Sequence, residues 1–510
     1  MSTEIFTIFM IMMSFGAEAS GPSPATDLLN RIFQNIDLRQ NDFVQTLKEW
    51  LAVQSDSSDP QLRGEVIRMM GIAAKRIQDL GATAQLVNPN MTEMIGGRQV
   101  PLPPVLLANL GDDPKKPTVC FYGHVDVQPA KKEDGWTTDP YTLTEINGNL
   151  HGRGASDDKG PVLAWINAVD TLNTLKQDIP VNMKFIIEGM EETGSGGLEE
   201  IIKKYNHFFS DIDYIVISDN SWISRKPALI YGSRGNAYFF VEVKGSERDL
   251  HSGSFGGITH EAMSDLIALL DSLVDPSGRI LIPGIYDDVA TLTEEEQQLY
   301  DKIEFDMEEQ KNKIGVKKFV QSTKVETLLH LWCYPSLSIH GIEGAFYGPG
   351  TKTVIPSKVI GKFSIRQVPN MNLSAVKEKV SKHLENVFAK RNSPNKLTVT
   401  MPIGALPWVT DAKELQYEAA RRAVAKVFGI VPDMIKDGST IPIAKTFQTV
   451  TQKKIMMLPI GGSDDGEHSQ NEKISRDNYI QGTKLFAAFF LELAELHQKK
   501  QKYSNQINKD

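Results

Sequence analysis

The chain has 510 residues, a formal net charge of -9 and only two cysteines. Its length exceeds the roughly 250 to 300 residues at which a single core tends to split, so it points to two domains, and the cysteine count excludes a disulfide scaffold. The mild acidity, with no lysine- or arginine-dense face, excludes the phosphate-neutralising footprint of a nucleic-acid binder.

In chain order, Ile5 to Phe15 form an apolar stretch too short to span a bilayer, and Ala17-Glu18-Ala19 behind it has the small-x-small form of a signal-peptidase site. Residues 1–19 are therefore expected to be a signal peptide cleaved after Ala19, although its n-region holds Glu4 and no lysine or arginine. The mature chain is expected to be secreted and extracellular, with no membrane partner. Entry into the secretory path would make Asn90 in Asn90-Met91-Thr92 and Asn372 in Asn372-Leu373-Ser374 glycosylation acceptors.

Leu28 to Val53 and Leu62 to Leu80 carry apolar residues at helical spacing, and strands then alternate with helices as far as Tyr231, an α/β layer pattern. From Ala237 the pattern changes to a strand (Tyr238 to Val243), a helix (His260 to Val274), a long polar stretch, a strand (Lys362 to Val368), a helix (Ser374 to Lys390) and a strand (Leu397 to Met401). Two strand-helix-strand units suggest a plait. Beyond Trp408 the first pattern resumes. The expected architecture is an α/β catalytic domain with a doubly wound mixed sheet, in two parts (20–232 and 406–498), interrupted by an inserted α+β plait domain (233–405). Residues 499–510 are expected to be a disordered tail, and Thr293 to Glu296 the exposed start of a helix. Cys120 lies mid-strand and reads as a buried free thiol.

Four apolar runs end in side chains that bind metals. Thr118 to Tyr122 leads to His124 and Asp126; Val181 to Ile187 leads to Glu188, Glu191 and Glu192; Tyr214 to Ile217 leads to Asp219; Ile455 to Ile460 leads to Asp464, Asp465 and His468. Carboxylates and imidazoles gathered at strand ends of an open α/β sheet fall where such folds bind ligands. A dinuclear hydrolytic site needs a bridging ligand, terminal ligands on each cation and a general base. His124, Asp157, Glu191, Glu192, Asp219 and His468 supply such a set. The chain reads as a hydrolytic metalloenzyme.

The segments His-Val-Asp-Val-Gln-Pro, Gly-Arg-Gly-x-x-Asp-Asp-Lys-Gly-Pro, Met-Glu-Glu-x-Gly-Ser, Ile-Ser-Asp-Asn, Asp-Leu-His-Ser-Gly and Asp-Asp-Gly-Glu-His-Ser-Gln occur in this order. Together they resemble the dizinc aminoacylase and carboxypeptidase-like metallopeptidases, and within these the branch of secreted carnosine dipeptidases. The resemblance spans about Leu28 to His497. It implies two divalent metal ions per subunit, zinc in preference to manganese, with Asp157 bridging. His124 and Asp219 would complete one site, and Glu192 and His468 the other. It further implies Glu191 as general base, Asp126 as the carboxylate orienting His124, a cis peptide at Asp157-Asp158, and a homodimer joined through the plait, which would serve as lid and dimerisation domain. His251 would cross to the partner's scissile carbonyl; Thr353, Arg366 and a hydroxyl of Ser439 or Thr440 would contact the substrate, with Arg366 suited to a bidentate grip on its carboxylate. The implied reaction is hydrolysis of Xaa-His dipeptides such as carnosine, anserine and homocarnosine. A broad dipeptidase, an N-acyl amino acid hydrolase and a binding protein without activity remain as rivals.

Overall fold

The computed structural model describes residues 24–95 and 97–507. The expected signal peptide lies outside the described residues. The chain builds a large mixed sheet from β1 (Thr83–Val87), β2 (Val105–Leu110), β3 (Thr118–His124), β4 (Asn182–Glu188), β5 (Tyr214–Ile217) and β6 (Ala228–Ser233). It then leaves for a second sheet made of β7 (Gly235–Lys244), β8 (Ser336–Glu343), β9 (Lys358–Gln367) and β10 (Lys396–Ala405). It returns with β11 (Trp408–Val409), β12 (Asp433–Asp437) and β13 (Lys454–Met457). The large sheet runs β1-β2-β4-β3-β5-β13-β6-β11, with β12 also paired to β6.

β3 is parallel to β4 and β5, and β5 to β13, so the four strands open their C-terminal ends at one edge. Both faces of these strands are covered, which is why they read as unbroken apolar runs. Val119 and Phe121 of β3 pack with α1 (Pro24–Leu51), α2 (Arg63–Gln78), α3 (Lys159–Thr174) and two later helices, α10 (Leu415–Phe428) and α12 (Arg476–Ile507). The alternate residues Cys120 and Tyr122 face α4 (Leu198–Lys204) and α11 (Pro442–Thr451). Cys120 is buried and unpaired, and Cys333 is a partly buried free thiol.

The second sheet has the order β8-β9-β7-β10 and is covered on one face by α5 (Ala262–Asp271) and α9 (Leu373–Lys390), with Phe239, Val241, Phe363, Leu266 and Leu384 at its centre. Two expectations need correction here. The polar stretch before Lys362 contains the edge strand β8, whose residues are mostly half-buried or exposed and so lack an apolar signature. The same stretch also contains α6 (Glu294–Lys302), α7 (Met307–Ile314) and α8 (Lys324–Trp332). Tyr300, Leu328 and Trp332 of these helices share one core with Trp408 and Ile435 of the large sheet and Trp222 of the loop after β5, so the insertion is not one continuous plait. The expected helix start is present, with Thr293 capping α6 through a reciprocal bond to Glu296. The tail is also corrected: residues 499–507 continue α12, because Lys499 pairs with Glu495 one turn earlier. No helix among the described residues is long and apolar enough to cross a membrane.

Candidate active site

The converging strand ends set the site. β3 ends on His124, which pairs in register with Glu188 at the end of β4. The following loop supplies Asp126, the loop after β4 supplies Glu191 and Glu192, and the loop after β5 supplies Asp219. Asp157 stands just before α3, with a cis peptide to Asp158 as the resemblance implied. His468, in the loop after β13, adopts a positive φ of 61°. Residues separated by more than three hundred positions thus meet.

Asp157 lies between the two histidines: Oδ1 is 3.0 Å from His124 Nε2 and Oδ2 is 3.0 Å from His468 Nε2. His124 Nε2 is also 3.6 Å from Asp219 Oδ2, and His468 Nε2 is 3.0 Å from Glu192 Oε2. Two triads result, His124 with Glu191 and Asp219, and Asp157 with Glu192 and His468, each with its candidate ligand atoms within 4.8 Å of one another. The donor set suits divalent cations. Asp157, Asp219, Glu191 and Glu192 gather in these two triads; among the described residues the ion pairs of Asp157, Asp219 and Glu192 are only with His124 and His468, and Glu191 forms none.

The electrostatics of the protein alone show the same deficit of positive charge. Burial pushes Glu191 well above the ordinary carboxylate range, and burial also raises Glu192 and Asp219. Burial acts to lower His124, but Asp219, Asp126 and Asp157 outweigh it and hold the imidazole well above its usual value. Hydrogen bonds to Asp157 and Glu192 push His468 up to about 11. Burial likewise opposes ionisation of Asp157, yet His124 and His468 hold its carboxyl below the usual range.

A supporting shell holds these groups in place. Asp126 accepts the backbone N–H of Glu191 at 3.2 Å and of Glu192 at 3.1 Å, and its Oδ1 is 3.3 Å from His124 Nδ1. One carboxylate therefore sets both the imidazole and the turn carrying two acidic residues. Three members of this shell escaped sequence reasoning. Gln128 donates its backbone N–H and side-chain amide to Glu192 at 3.1 and 2.8 Å. Glu472, fully buried, accepts the N–H groups of Gly154, Ser156 and Asp157 and the guanidinium of Arg153. Lys159, also fully buried, donates to the carbonyls of Trp50 and Val53, and burial depresses it to about 7. Nothing in sequence pairs Glu472 with a loop more than three hundred residues earlier; its place four residues after His468 was the one available signal.

A cavity of about 560 Å³ opens beside the triads, lined by Asp157, Glu191, Asp219 and His468, by Ser439 and Thr440, and by an apolar wall that includes Trp222 and Trp332. Arg366 on β9 donates to Thr440 Oγ1 at 2.6 Å, so it is tied to the cavity wall. His251 and Thr353 lie elsewhere. Both are exposed: His251 ends the short strand Leu250–His251, Thr353 immediately precedes its partner strand Val354–Ile355, and neither lines the cavity of its own chain. His251 Nδ1 accepts the N–H of Gly253 at 3.0 Å, which leaves the proton of the neutral ring on Nε2. Asn90 and Asn372 are exposed.

Residues 120–492 match the family described as Peptidase family M20/M25/M40. The chain is 60% identical over 501 residues to a protein of Homo sapiens named Beta-Ala-His dipeptidase, covering 98% of this chain and 99% of the relative. It is 45% identical over 471 residues to a Cys-Gly metallodipeptidase of Schizosaccharomyces pombe, covering 92% and 99%. The crystal structure of human carnosine dipeptidase 1 matches with a TM-score of 0.85 at 62% identity, covering 92% of this chain and 99% of that one.

Proposed function

The chain belongs to peptidase family M20/M25/M40, and from that premise we propose that it is a secreted dinuclear-metal dipeptidase acting on Xaa-His dipeptides such as carnosine, anserine and homocarnosine. The observation that carries the reading is Asp157 standing 3.0 Å from both His124 and His468, which makes it the natural shared ligand of two adjoining cation sites. His124 and Asp219 would complete one site, and Glu192 and His468 the other. Two divalent cations held there, zinc in preference to manganese, would supply Lewis-acid polarisation of the scissile carbonyl and make a water acidic enough to attack at neutral pH.

The protein's own groups do the rest. Glu191, raised by burial, accepts the proton of the attacking water and delivers it to the leaving amine. Asp126 holds His124 and the Glu191-Glu192 turn in place. Arg366, braced on Thr440, clamps the substrate carboxylate, with Ser439 and Thr440 as neighbouring hydroxyls. His251 presents a donor Nε2–H yet does not line the cavity of its own chain. This suits a homodimer in which the histidine stabilises the developing oxyanion of the partner's substrate, with Thr353 beside it. The human relative bearing a β-Ala-His name stands at 60% identity against 45% for the Cys-Gly relative, which favours histidyl dipeptides over the broad-specificity reading.

The test uses protein expressed from Ser20 and loaded with zinc or manganese. Amino-acid release is measured from carnosine, anserine, Gly-Leu and an N-acetyl amino acid, with Glu191→Gln as control. Turnover confined to the histidyl dipeptides and lost in the control is the expected result. Comparable cleavage of Gly-Leu would move the chain to the broad dipeptidases, and cleavage of the acetylated compound to the deacylases. Sequencing the amino terminus of protein secreted from the full-length chain tests cleavage after Ala19.

A further inference from the structure

The loop that carries His468 also brings Glu467 into the cavity wall. Among the described residues its carboxyl takes part in no ion pair and meets only its own backbone N–H, unlike its loop neighbours: Asp464 and Asp465 are held by Lys473 at 3.0 and 3.2 Å. The cations on the same wall are mostly committed. Arg234 donates to the Gly438 carbonyl and to Ser336, and Lys436 is paired with Glu296 at 2.9 Å. Lys313 of α7 faces the loop of Asp464, Asp465 and Glu467 but forms no ion pair with any of them. The cavity therefore holds a carboxyl group without a cationic partner, next in sequence to a candidate metal ligand.

Charge balance says what that carboxylate is for. Two divalent cations at the triads would be matched, charge for charge, by Asp157, Asp219, Glu191 and Glu192. A dipeptide also brings an ammonium on the amino side of the bond to be cut, and those four carboxylates have no charge left for it. A cation entering a desolvated pocket needs a paired anion. We propose that Glu467 anchors the free amino terminus of the substrate and is the residue through which this site selects free-amine dipeptides over N-acylated amino acids. An N-acyl amide is neutral and leaves the Glu467 carboxylate unpaired. The inference rests on the dipeptidase reading above.

The experiment measures equilibrium binding by calorimetry to zinc-loaded Glu191→Gln protein, which does not turn over, and to the same protein carrying Glu467→Ala. The ligands are β-alanyl-histidine, its N-acetyl derivative and β-alanyl-leucine. Loss of a charge-assisted contact is expected to weaken both free-amine ligands by about 10- to 100-fold and the acetylated one by less than about threefold, with Glu467→Gln in between. Zinc content per chain, read by elemental analysis, is expected to be the same in all proteins. Equal weakening of all three ligands, with or without loss of zinc, would mean that Glu467 merely positions His468 and would overturn the proposal. So would unchanged binding, or weakening confined to the histidyl ligand, which would assign Glu467 to the imidazole. Preference of the wild-type enzyme for acetylated substrates would instead overturn the dipeptidase reading itself.

Discussion

Asp126→Asn isolates how much of the metal centre depends on a residue that need not touch a metal. The carboxylate is fully buried, and its two oxygens accept the N–H groups of Glu191 and Glu192 while Oδ1 stands 3.3 Å from His124 Nδ1. An asparagine in the same rotamer keeps one acceptor oxygen and turns an NH2 toward the other backbone N–H, so one hydrogen bond becomes a donor facing a donor. Hydrogen bonds to a charged group are worth about 1.5 to 3 kcal/mol, and an unmet buried donor adds to the loss. The imidazole also loses a negative neighbour that raises its basicity. Metal affinity should therefore fall about 10- to 100-fold, the range for such outer partners, which is about 1.4 to 2.7 kcal/mol and agrees with the bond lost. The assay is zinc competition against a chromophoric chelator, with circular dichroism to confirm folding. Zinc affinity within twofold of wild type in a folded variant would refute the orienting role, leaving the backbone carbonyl of Asp126, 3.1 Å from His124 Nδ1, as the group that sets the ring.

Four further outcomes are expected. Mixing inactive His251→Ala protein with inactive Glu191→Gln protein, under conditions that allow subunit exchange, should restore carnosine hydrolysis, since one site then draws an intact His251 and an intact Glu191 from different chains; continued inactivity would argue against a shared site. Metal loading should release protons and weaken toward acidic pH, because His124 and His468 are held protonated by neighbouring carboxylates in the metal-free protein and must lose that proton to bind; calorimetry in buffers of different ionisation enthalpy reads the number released. Gly160→Ala should prevent folding or sharply lower the melting temperature, because the new Cβ would lie 2.0 Å from the Ala155 carbonyl oxygen at the start of α3. Lys159, depressed by burial to about 7, has lost its proton in the folded state between pH 7 and about 10.4 while the unfolded chain still binds one, so its contribution to stability rises with pH across that window. Lys159→Met should flatten this rise in denaturant midpoints taken at about pH 7.5 and about pH 9.5, both inside the window.

The local sequence determined much of this protein. The central strands are buried on both faces, so their apolar runs stand out, and the metal-binding side chains sit within a few residues of the strand ends. His124, Asp219 and His468 could thus be placed at a common edge once a parallel sheet was inferred. Which of Glu191 and Glu192 serves as base was implied by the family resemblance alone, since the divergence of adjacent side chains says only that the two point in different directions. The tertiary structure decided what depends on chain segments distant in sequence. Glu472 secures the loop of Asp157 from across the fold, and α6 and α8 fold back onto the large sheet through a few residues such as Tyr300 and Trp332 in otherwise polar stretches. β8 stayed invisible because an edge strand buries too little on either face to imprint a period. Glu467 is one acidic residue among several in its loop until the cavity shows that it lines the wall without the lysine pair that holds Asp464 and Asp465. Periodicity records which face of an element is buried; which distant group meets it is set only when the layers close.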